Sequence, residues 1–232
     1  MLLAIFALGC AACGRSSFNR IQQNEHGMSE PKKNASPIVY VALGDSTGAG
    51  VGAREGGYVA RIFTRLEREH EGARLINLCV SGATTNDLLR TQLGAAIKAR
   101  PTLLSLGIGI NDIRRGSSVE EFAQNYETIV ARLRNETSAP LIVANIPDIA
   151  LAPAVPVSAR DELRRRINLF NKRIDETTMR HGALVFDVYN ATRDMIGDHT
   201  EFFSSDGFHP SDAGYEYWAK TMWLTVESAV GE

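Results

Sequence analysis

From residue 37 onward, short apolar runs alternate with segments of helical spacing, and this alternation constrains the fold more than any other feature of the chain. Each apolar run has the length of a buried strand, and the segments between them place apolar residues three or four positions apart. The predicted strands are 38–43, 74–80, 102–108, 141–144 and 183–188, and the predicted helices are 58–70, 88–97, 118–133, 159–180 and 212–230. The pattern predicts a three-layer α/β/α fold, with helices on both faces of a mostly parallel five-stranded sheet.

Composition indicates one globular domain and excludes several classes of function. The chain has 232 residues, of which 44% are hydrophobic and 22% charged, and residues 37–232 suit a single domain with a full core. The formal net charge of -2 provides no overall basic field, so no nucleic-acid partner is predicted. The cysteines and histidines show neither zinc-ligand spacing nor a disulfide framework. We therefore expect no metal and no cofactor.

The N-terminus carries a different pattern. Residues 1–13 form an apolar run that is too short to cross a bilayer but has the length of a secretory signal core. Its end, Ala7-Leu8-Gly9-Cys10, resembles a bacterial lipoprotein signal, which implies an exported protein with a lipid anchor on Cys10 at the membrane of the cell envelope. Cys13 is the alternative lipidation site, and a non-cleaved N-terminus is the other interpretation. The polar segment 14–36 is typical of a flexible tether.

Polar groups follow four of the predicted strands. They lie at 44–46, 81–82 and 109–112 and, across a short helix and loop after the fifth strand, at 206–210. Each group alone is a weak signal, because polar residues are common after strands. The carboxyl ends of parallel strands share one edge of the sheet, however, and this is the edge where α/β proteins bind ligands. Their common position therefore predicts a functional site.

In order and placement, the four groups match the marker blocks of the SGNH hydrolases, also called the GDSL family. The resemblance extends over residues 39–218. It implies a flavodoxin-like SGNH hydrolase domain at 37–232 that cleaves carboxylic esters through an acyl-serine intermediate, as esterases, lipases and lysophospholipases do. The expected partner is a small-molecule or lipid ester. Two alternatives stay open: a carbohydrate O-deacetylase with the same triad, and a non-catalytic, membrane-tethered binding lipoprotein.

The same resemblance implies a role for five residues. Ser46 is the nucleophile, His209 the base and Asp206 the acid that orients the imidazole. The oxyanion hole consists of the backbone N–H groups of Ser46 and Gly82 and the side-chain amide of Asn111. The chemistry needs these groups, because a serine hydroxyl is a poor nucleophile until a base takes its proton. A carboxylate selects the tautomer of that base, and the tetrahedral intermediate needs donors aimed at its oxyanion.

Each of these residues also has a purely structural interpretation. Ser46 suits a helix N-cap, His209 a loop histidine bonded to backbone, Asn111 a turn residue and Gly82 a strand terminator. His199 is the best competing base, although it has no counterpart in the family pattern. The shared sheet edge favours the functional interpretation of the four positions taken together.

The glycine-rich segment 48–53 contains G-x-G-x-x-A after a strand, as dinucleotide-binding sites do. Here Gly-Asp-Ser-Thr separates the strand from the first of these glycines, and no acidic residue near the end of the second strand is available for a ribose. We expect instead that these glycines let the loop after Ser46 pass close to the substrate. We also expect the apolar, proline-rich loop 147–157 to line an acyl pocket, and Asp45 and Asp112 to be structural turn formers.

Overall fold

The computed structural model describes residues 37–196 and 199–231. Within them, five strands form one sheet in which every pair of neighbours is parallel. Their order across the sheet is β2 (Arg74–Asn77), β1 (Val39–Gly44), β3 (Leu103–Gly107), β4 (Leu141–Ala144) and β5 (Leu184–Phe186). The predicted α/β fold is therefore confirmed. The predicted leader (1–13), the predicted tether (14–36) and the candidate lipidation site Cys10 lie outside the described residues.

Helices cover both faces of this sheet. In chain order they are α1 (Ser46–Ala49), α2 (Tyr58–Glu69), α3 (Thr85–Thr91), α4 (Leu93–Lys98), α5 (Ile110–Arg115), α6 (Val119–Glu136), α7 (Arg160–His181), α8 (Val188–Ile196) and α9 (Asp212–Val230). Alternate side chains of β1 point to opposite faces, as the two-residue period of a strand requires. Val41 and Leu43 belong to the core under α6 and α7, whereas Tyr40 and Ala42 belong to the core under α2 and α9.

The helical spacing in the sequence identifies the inward faces. On α6, Phe122, Tyr126, Ile129 and Leu133 recur every three or four positions and are all buried. α7 ends at Gly182, which adopts a φ of 62° and donates its N–H to the carbonyl of Thr178. Among the described residues, no helix is both long enough and apolar enough to span a membrane.

Two predicted elements end earlier than their apolar patterns suggested. The predicted strand 74–80 is regular only to Asn77, whose side chain accepts the N–H of Cys79 at 3.1 Å and donates to the Gly48 carbonyl at 2.9 Å. Beyond Asn77, the N–H groups of Leu78 and Val80 still donate to the β1 carbonyls of Ala42 and Gly44. The predicted strand 183–188 shortens to Leu184–Phe186, because Val188 already begins α8.

The predicted helix 88–97 is divided into α3 and α4. The break falls at Gln92, whose backbone angles (φ -109°, ψ -43°) depart from regular helix. Gln92 is 1% exposed and its side chain is directed into the sheet edge, where it binds β1. The helix is therefore interrupted at the residue that forms a tertiary hydrogen bond to Gly44. Apolar periodicity alone did not indicate this interruption.

Candidate active site

β1 brings Ser46 to the carboxyl edge of the sheet. The strand ends at Gly44 and Ser46 begins α1, so the serine lies at a sharp strand-to-helix turn. The Asp45 carboxylate caps α1, accepting the N–H and the hydroxyl of Thr47, both at 3.0 Å. Gln92 binds the backbone of Gly44 twice: its Oε1 accepts the N–H at 2.9 Å and its Nε2 donates to the carbonyl at 2.8 Å. The backbone leading into Ser46 is therefore held from two sides.

Three of the predicted site residues form one hydrogen-bonded line. The Oγ atom of Ser46 lies 3.0 Å from Nε2 of His209, and Nδ1 of the same imidazole lies 2.6 Å from Oδ2 of Asp206. Ser46 is 5% exposed, and the His209 side chain is 17% exposed, so both are shielded from bulk water. Although 163 positions separate the serine from the histidine in sequence, the fold brings them into contact. This geometry allows the imidazole to receive a proton from the serine hydroxyl.

The Asp206 carboxylate also organises the loop that carries the histidine. Its Oδ1 accepts the N–H of His209 at 2.9 Å, the N–H of Phe208 at 2.8 Å and the hydroxyl of Ser204 at 2.8 Å. Burial acts to raise the pKa of Asp206, but the bonds from the His209 imidazole and from these loop donors outweigh it and hold the pKa well below its usual range. Asp206 is therefore ionised, and its Oδ2 is positioned to accept the Nδ1–H of the His209 imidazole.

The glycine-rich segment 48–53 packs against this same loop. A Cβ atom added to Gly52 would lie 2.6 Å from the carbonyl oxygen of Pro210 and 2.9 Å from the Cβ atom of His209. Gly52 also has a φ of 96°, a conformation that other residues rarely adopt. The glycine at this position is thus explained by close packing on the histidine loop, without a dinucleotide.

The predicted oxyanion donors lie on adjoining segments. The side-chain amide of Asn111, near the start of α5, donates to the Ala83 carbonyl at 3.0 Å, so Asn111 lies directly against the turn that contains Gly82. Asn111 is 5% exposed, and its second amide hydrogen is left for another acceptor. Within residues 37–196 and 199–231, the backbone N–H groups of Ser46 and Gly82 donate to no protein acceptor. These donors are therefore available to a ligand.

α5 is fastened to the Gly82 turn by two further contacts. The buried Asp112 carboxylate accepts the hydroxyl of Thr85 at 2.5 Å and its N–H at 3.0 Å, and Arg115 donates from Nη2 to the Gly82 carbonyl at 2.7 Å. Burial raises the pKa of Asp112 against the lowering effect of the Thr85 bonds. Asp112 was predicted to form a local turn, but it connects two segments 27 positions apart. The spacing between Gly82 and Asn111 is fixed by this clamp.

His199, the competing base, lies elsewhere. Its side chain is 60% exposed, and its Nδ1 lies 2.7 Å from the Glu201 carboxylate. Its ring packs edge-on to Phe202. In the structure it is His209, and not His199, that reaches the Ser46 hydroxyl.

An apolar pocket opens beside Ser46 and His209. It follows the carboxyl ends of β1, β3, β4 and β5 and reaches α8 and α9, and its lining includes Ile108, Ile146, Phe186, Phe208 and Trp218. From the loop 147–157, Pro147 and Ile149 contribute to the lining, whereas Val157 is 78% exposed. The first residues of that loop therefore line this pocket, and its role in binding an acyl group stays a prediction. The cavity volume is about 60 Å³.

Three residues that support the site were not predicted from the sequence. They are Gln92, Thr85 and Arg115, which bind Gly44, Asp112 and Gly82 respectively. Gln92 carried a usable signal, because it lies four positions from both Leu88 and Ala96 on a buried helix face. A polar residue at an inward position indicates a specific buried partner. Thr85 and Arg115 carried no such signal.

Burial of Asp45 leads to a prediction for the pH dependence of stability. Asp45 is 3% exposed, and burial raises its pKa to about 6 despite the hydrogen bonds from Thr47. Because this value exceeds that of the unfolded chain, about 3.9, the protonated form stabilises the fold below pH 4 and this contribution is lost as pH rises through 6. We expect Asp45→Asn, which stays neutral, to gain up to about 3 kcal/mol relative to wild type between pH 4 and 7.

Urea unfolding at pH 4, 5, 6 and 7 measures this difference. Asp161→Asn is the matched control, because the Asp161 side chain is fully exposed. A difference between Asp45→Asn and wild type that stays constant over this range would contradict the raised pKa.

The length of chain that matches a known protein family determines the family assignment. Residues 42–217 match the model of the GDSL-like Lipase/Acylhydrolase family, which is more than two thirds of the chain. The chain belongs to this family. The match covers all five strands except the first residues of β1, and it includes each of the site segments described above.

Several proteins similar to this chain are esterases or acylhydrolases. A GDSL-like esterase of Mycobacterium tuberculosis is 24% identical over 201 residues, which cover 82% of this chain and 62% of the mycobacterial protein. An acetylxylan esterase of Geobacillus stearothermophilus is 26% identical over 181 residues, covering 74% of this chain and 81% of that protein. The crystal structure of a lipase/acylhydrolase from Enterococcus faecalis aligns with a TM-score of 0.68 and 26% identity, covering 82% of this chain and 96% of that structure. The predicted assignment to the serine ester hydrolases is confirmed at this level.

Proposed function

We propose that this GDSL-family member hydrolyses carboxylic esters through an acyl intermediate on Ser46. His209 acts as general base and then as general acid, and Asp206 holds its imidazole. The observation that supports this most directly is the unbroken line from the Ser46 hydroxyl through His209 to the Asp206 carboxylate, with distances of 3.0 and 2.6 Å. Labelling with a fluorophosphonate followed by peptide mapping tests the assignment, because the adduct is expected on Ser46.

The reaction proceeds in two halves. The Oγ atom of Ser46 attacks the ester carbonyl while its proton passes to Nε2 of His209, and the negative charge develops on the carbonyl oxygen. The N–H groups of Ser46 and Gly82 and the amide of Asn111 stabilise that charge. The intermediate then collapses, and the imidazolium gives its proton to the departing alcohol. A water activated by the neutral imidazole cleaves the acyl-serine in the same manner.

The pocket supports a short acyl group. About 10–15 Å³ of cavity volume accommodates one water-sized group, so a cavity of about 60 Å³ has room for a chain of about four to six non-hydrogen atoms. Its apolar lining favours alkyl over charged acyl groups. We infer that acetyl to butyryl esters are better substrates than octanoyl or longer esters, which a series of 4-nitrophenyl esters of increasing acyl length tests.

A carbohydrate O-deacetylase is the second candidate. It is supported by the similarity to an acetylxylan esterase and by a pocket whose size suits an acetyl group. Acetylated xylo-oligosaccharides compared with an aryl acetate on the same preparation distinguish the two substrates. A binding lipoprotein without turnover would leave both unhydrolysed.

Removal of the Asn111 amide is expected to act mainly on the rate. In Asn111→Ala, kcat should fall by about 10² to 10³, because the amide binds the developing oxyanion more strongly than the ground-state carbonyl, while KM changes little. The matched control is Thr85→Val, which loosens the same segment by removing its hydroxyl bond to Asp112. Measuring kcat and the unfolding midpoint for both variants separates the roles. An Asn111→Ala enzyme with a lowered midpoint and an unchanged kcat would show that the amide is only structural.

For the N-terminus, we propose an exported lipoprotein anchored by a lipid on Cys10. Support comes from the Ala7-Leu8-Gly9-Cys10 sequence at the end of the apolar run and from the polar segment 14–36 between it and the domain. In cells, Cys10→Ala should move the protein from the membrane fraction to the soluble fraction, whereas Cys13→Ala should not. Mass spectrometry that finds an unmodified Met1 N-terminus in cells would contradict the proposal.

A further inference from the structure

Two consecutive arginines on α5 extend to different parts of the site. Nη2 of Arg115 donates to the carbonyl of Gly82 at 2.7 Å, on the segment that carries a proposed oxyanion donor. The guanidinium carbon of Arg114 lies 5.0 Å from the ring centre of Phe208. Phe208 lines the apolar pocket and packs edge-on against His209, with ring centres 5.2 Å apart. One arginine therefore borders the oxyanion side of the site, and the other borders the base.

The charge on these arginines is only partly neutralised. Arg115 and Arg90 share the single carboxylate of Asp87, at 3.2 and 2.9 Å. Among residues 37–196 and 199–231, Arg114 has no carboxylate partner. Two guanidinium groups thus share one carboxylate, although the chain as a whole has a net charge of -2. The stacking of Arg114 on Phe208 holds the guanidinium in place and leaves its N–H donors available.

The orientation of the bound ester determines which of its groups the N–H donors of these arginines contact. In the proposed reaction the acyl group occupies the apolar pocket that Phe208 lines, which leaves the alcohol portion of the ester outside that pocket. Arg114 and Arg115 are both exposed and are not part of the pocket lining. A guanidinium binds carboxylate and phosphate groups through paired N–H donors.

We propose that Arg114 and Arg115 form an anion subsite that selects esters whose alcohol portion carries a carboxylate or a phosphate. The subsite rests on the proposed ester hydrolysis at Ser46 and specifies its substrate class. Arg115 also holds the Gly82 carbonyl, so its substitution affects the oxyanion segment as well. Arg114 is therefore the residue whose substitution reports on anion recognition most directly.

Three acetyl esters with the same acyl group test the subsite. They are 4-acetoxybenzoate, its uncharged methyl ester, and 4-acetoxyphenyl phosphate. In wild type, kcat/KM for the anionic esters should exceed that for the methyl ester by about tenfold, as one charge-assisted contact provides, and this ratio should decline with added salt. Comparison of kcat/KM for 4-acetoxybenzoate with kcat/KM for 4-acetoxyphenyl phosphate shows which anion the subsite prefers. In Arg114→Gln, the ratio of anionic to neutral kcat/KM should approach one.

Arg68→Gln is the matched control, since it removes the same charge from an exposed residue near the end of α2, at the opposite edge of the sheet. It should preserve the wild-type ratio. Calorimetric binding of the product 4-hydroxybenzoate to wild type and Arg114→Gln reports on the subsite without turnover, and the variant should bind about tenfold more weakly. Equal ratios in wild type and Arg114→Gln, or equal product binding, would overturn the proposal. Absence of both hydrolysis and Ser46 labelling contradicts the hydrolase function itself, whereas product binding still decides the subsite.

Discussion

Ser46→Ala should lower the rate of hydrolysis of a short aryl ester by at least about 10⁴-fold. The expectation follows from the position of the hydroxyl, 3.0 Å from the His209 imidazole and next to the apolar pocket. No other hydroxyl contacts this imidazole in the described part of the chain. Because the Ser46 side chain makes no other hydrogen bond among the described residues, the free energy of unfolding should change by less than about 1 kcal/mol.

Ser138→Ala is the control for this experiment, because Ser138 is an exposed residue on the loop before β4. It should keep wild-type activity and wild-type labelling. The measurement is kcat/KM for 4-nitrophenyl acetate, together with fluorophosphonate labelling of each variant. An adduct on another serine, or activity in Ser46→Ala close to wild type, would reject Ser46 as the nucleophile.

His209→Ala should be about as damaging as Ser46→Ala, because the two side chains act as a unit. Without the imidazole, the serine proton has no acceptor, and the double variant should be no worse than either single variant. Asp206→Asn should cause a smaller loss, since the contact between Ser46 and His209 persists. Wild-type activity should fall in acid, because a protonated imidazole accepts no proton from Ser46.

His199→Ala provides the comparison that distinguishes the two histidines. The exposed His199 pairs with Glu201, so its replacement should leave kcat/KM near wild type. If His199→Ala lost activity while His209→Ala kept full activity, His199 and not His209 would be the base. Rates should be compared at equal concentrations of folded protein, judged by the unfolding transition.

The elements that the sequence predicted best are those whose pattern is local. The apolar run 38–43 and the helix 212–230 were predicted nearly to the residue, because burial on a repeating face imposes the pattern directly on the chain. The alternation of strands and helices leads to a parallel sheet, since the connections between parallel strands need a crossover. The sheet edge that carries the polar groups follows from the same alternation.

The errors occurred where a side chain formed a tertiary or turn-specific hydrogen bond. Asn77 bonds to Cys79 and Gly48 where the regular strand β2 ends, and Gln92 bonds to Gly44 where the predicted helix 88–97 is interrupted. Apolar periodicity indicates which face of a segment is buried, but it gives no information about the hydrogen-bond partners of polar side chains. The same holds for Asp112, whose partner lies 27 positions away.

By itself, the sequence determined the fold class, the sheet edge and the identity of the residue types gathered there, because each depends on local pattern and on chain direction. Their catalytic roles stay predictions until the variants are measured. Only the tertiary structure decided that His209 rather than His199 meets Ser46, that Asp112 and Arg115 hold the Gly82 segment, and that Arg114 lies over Phe208. These contacts join segments far apart in the chain, and their geometry is set by how the completed sheet and helices pack.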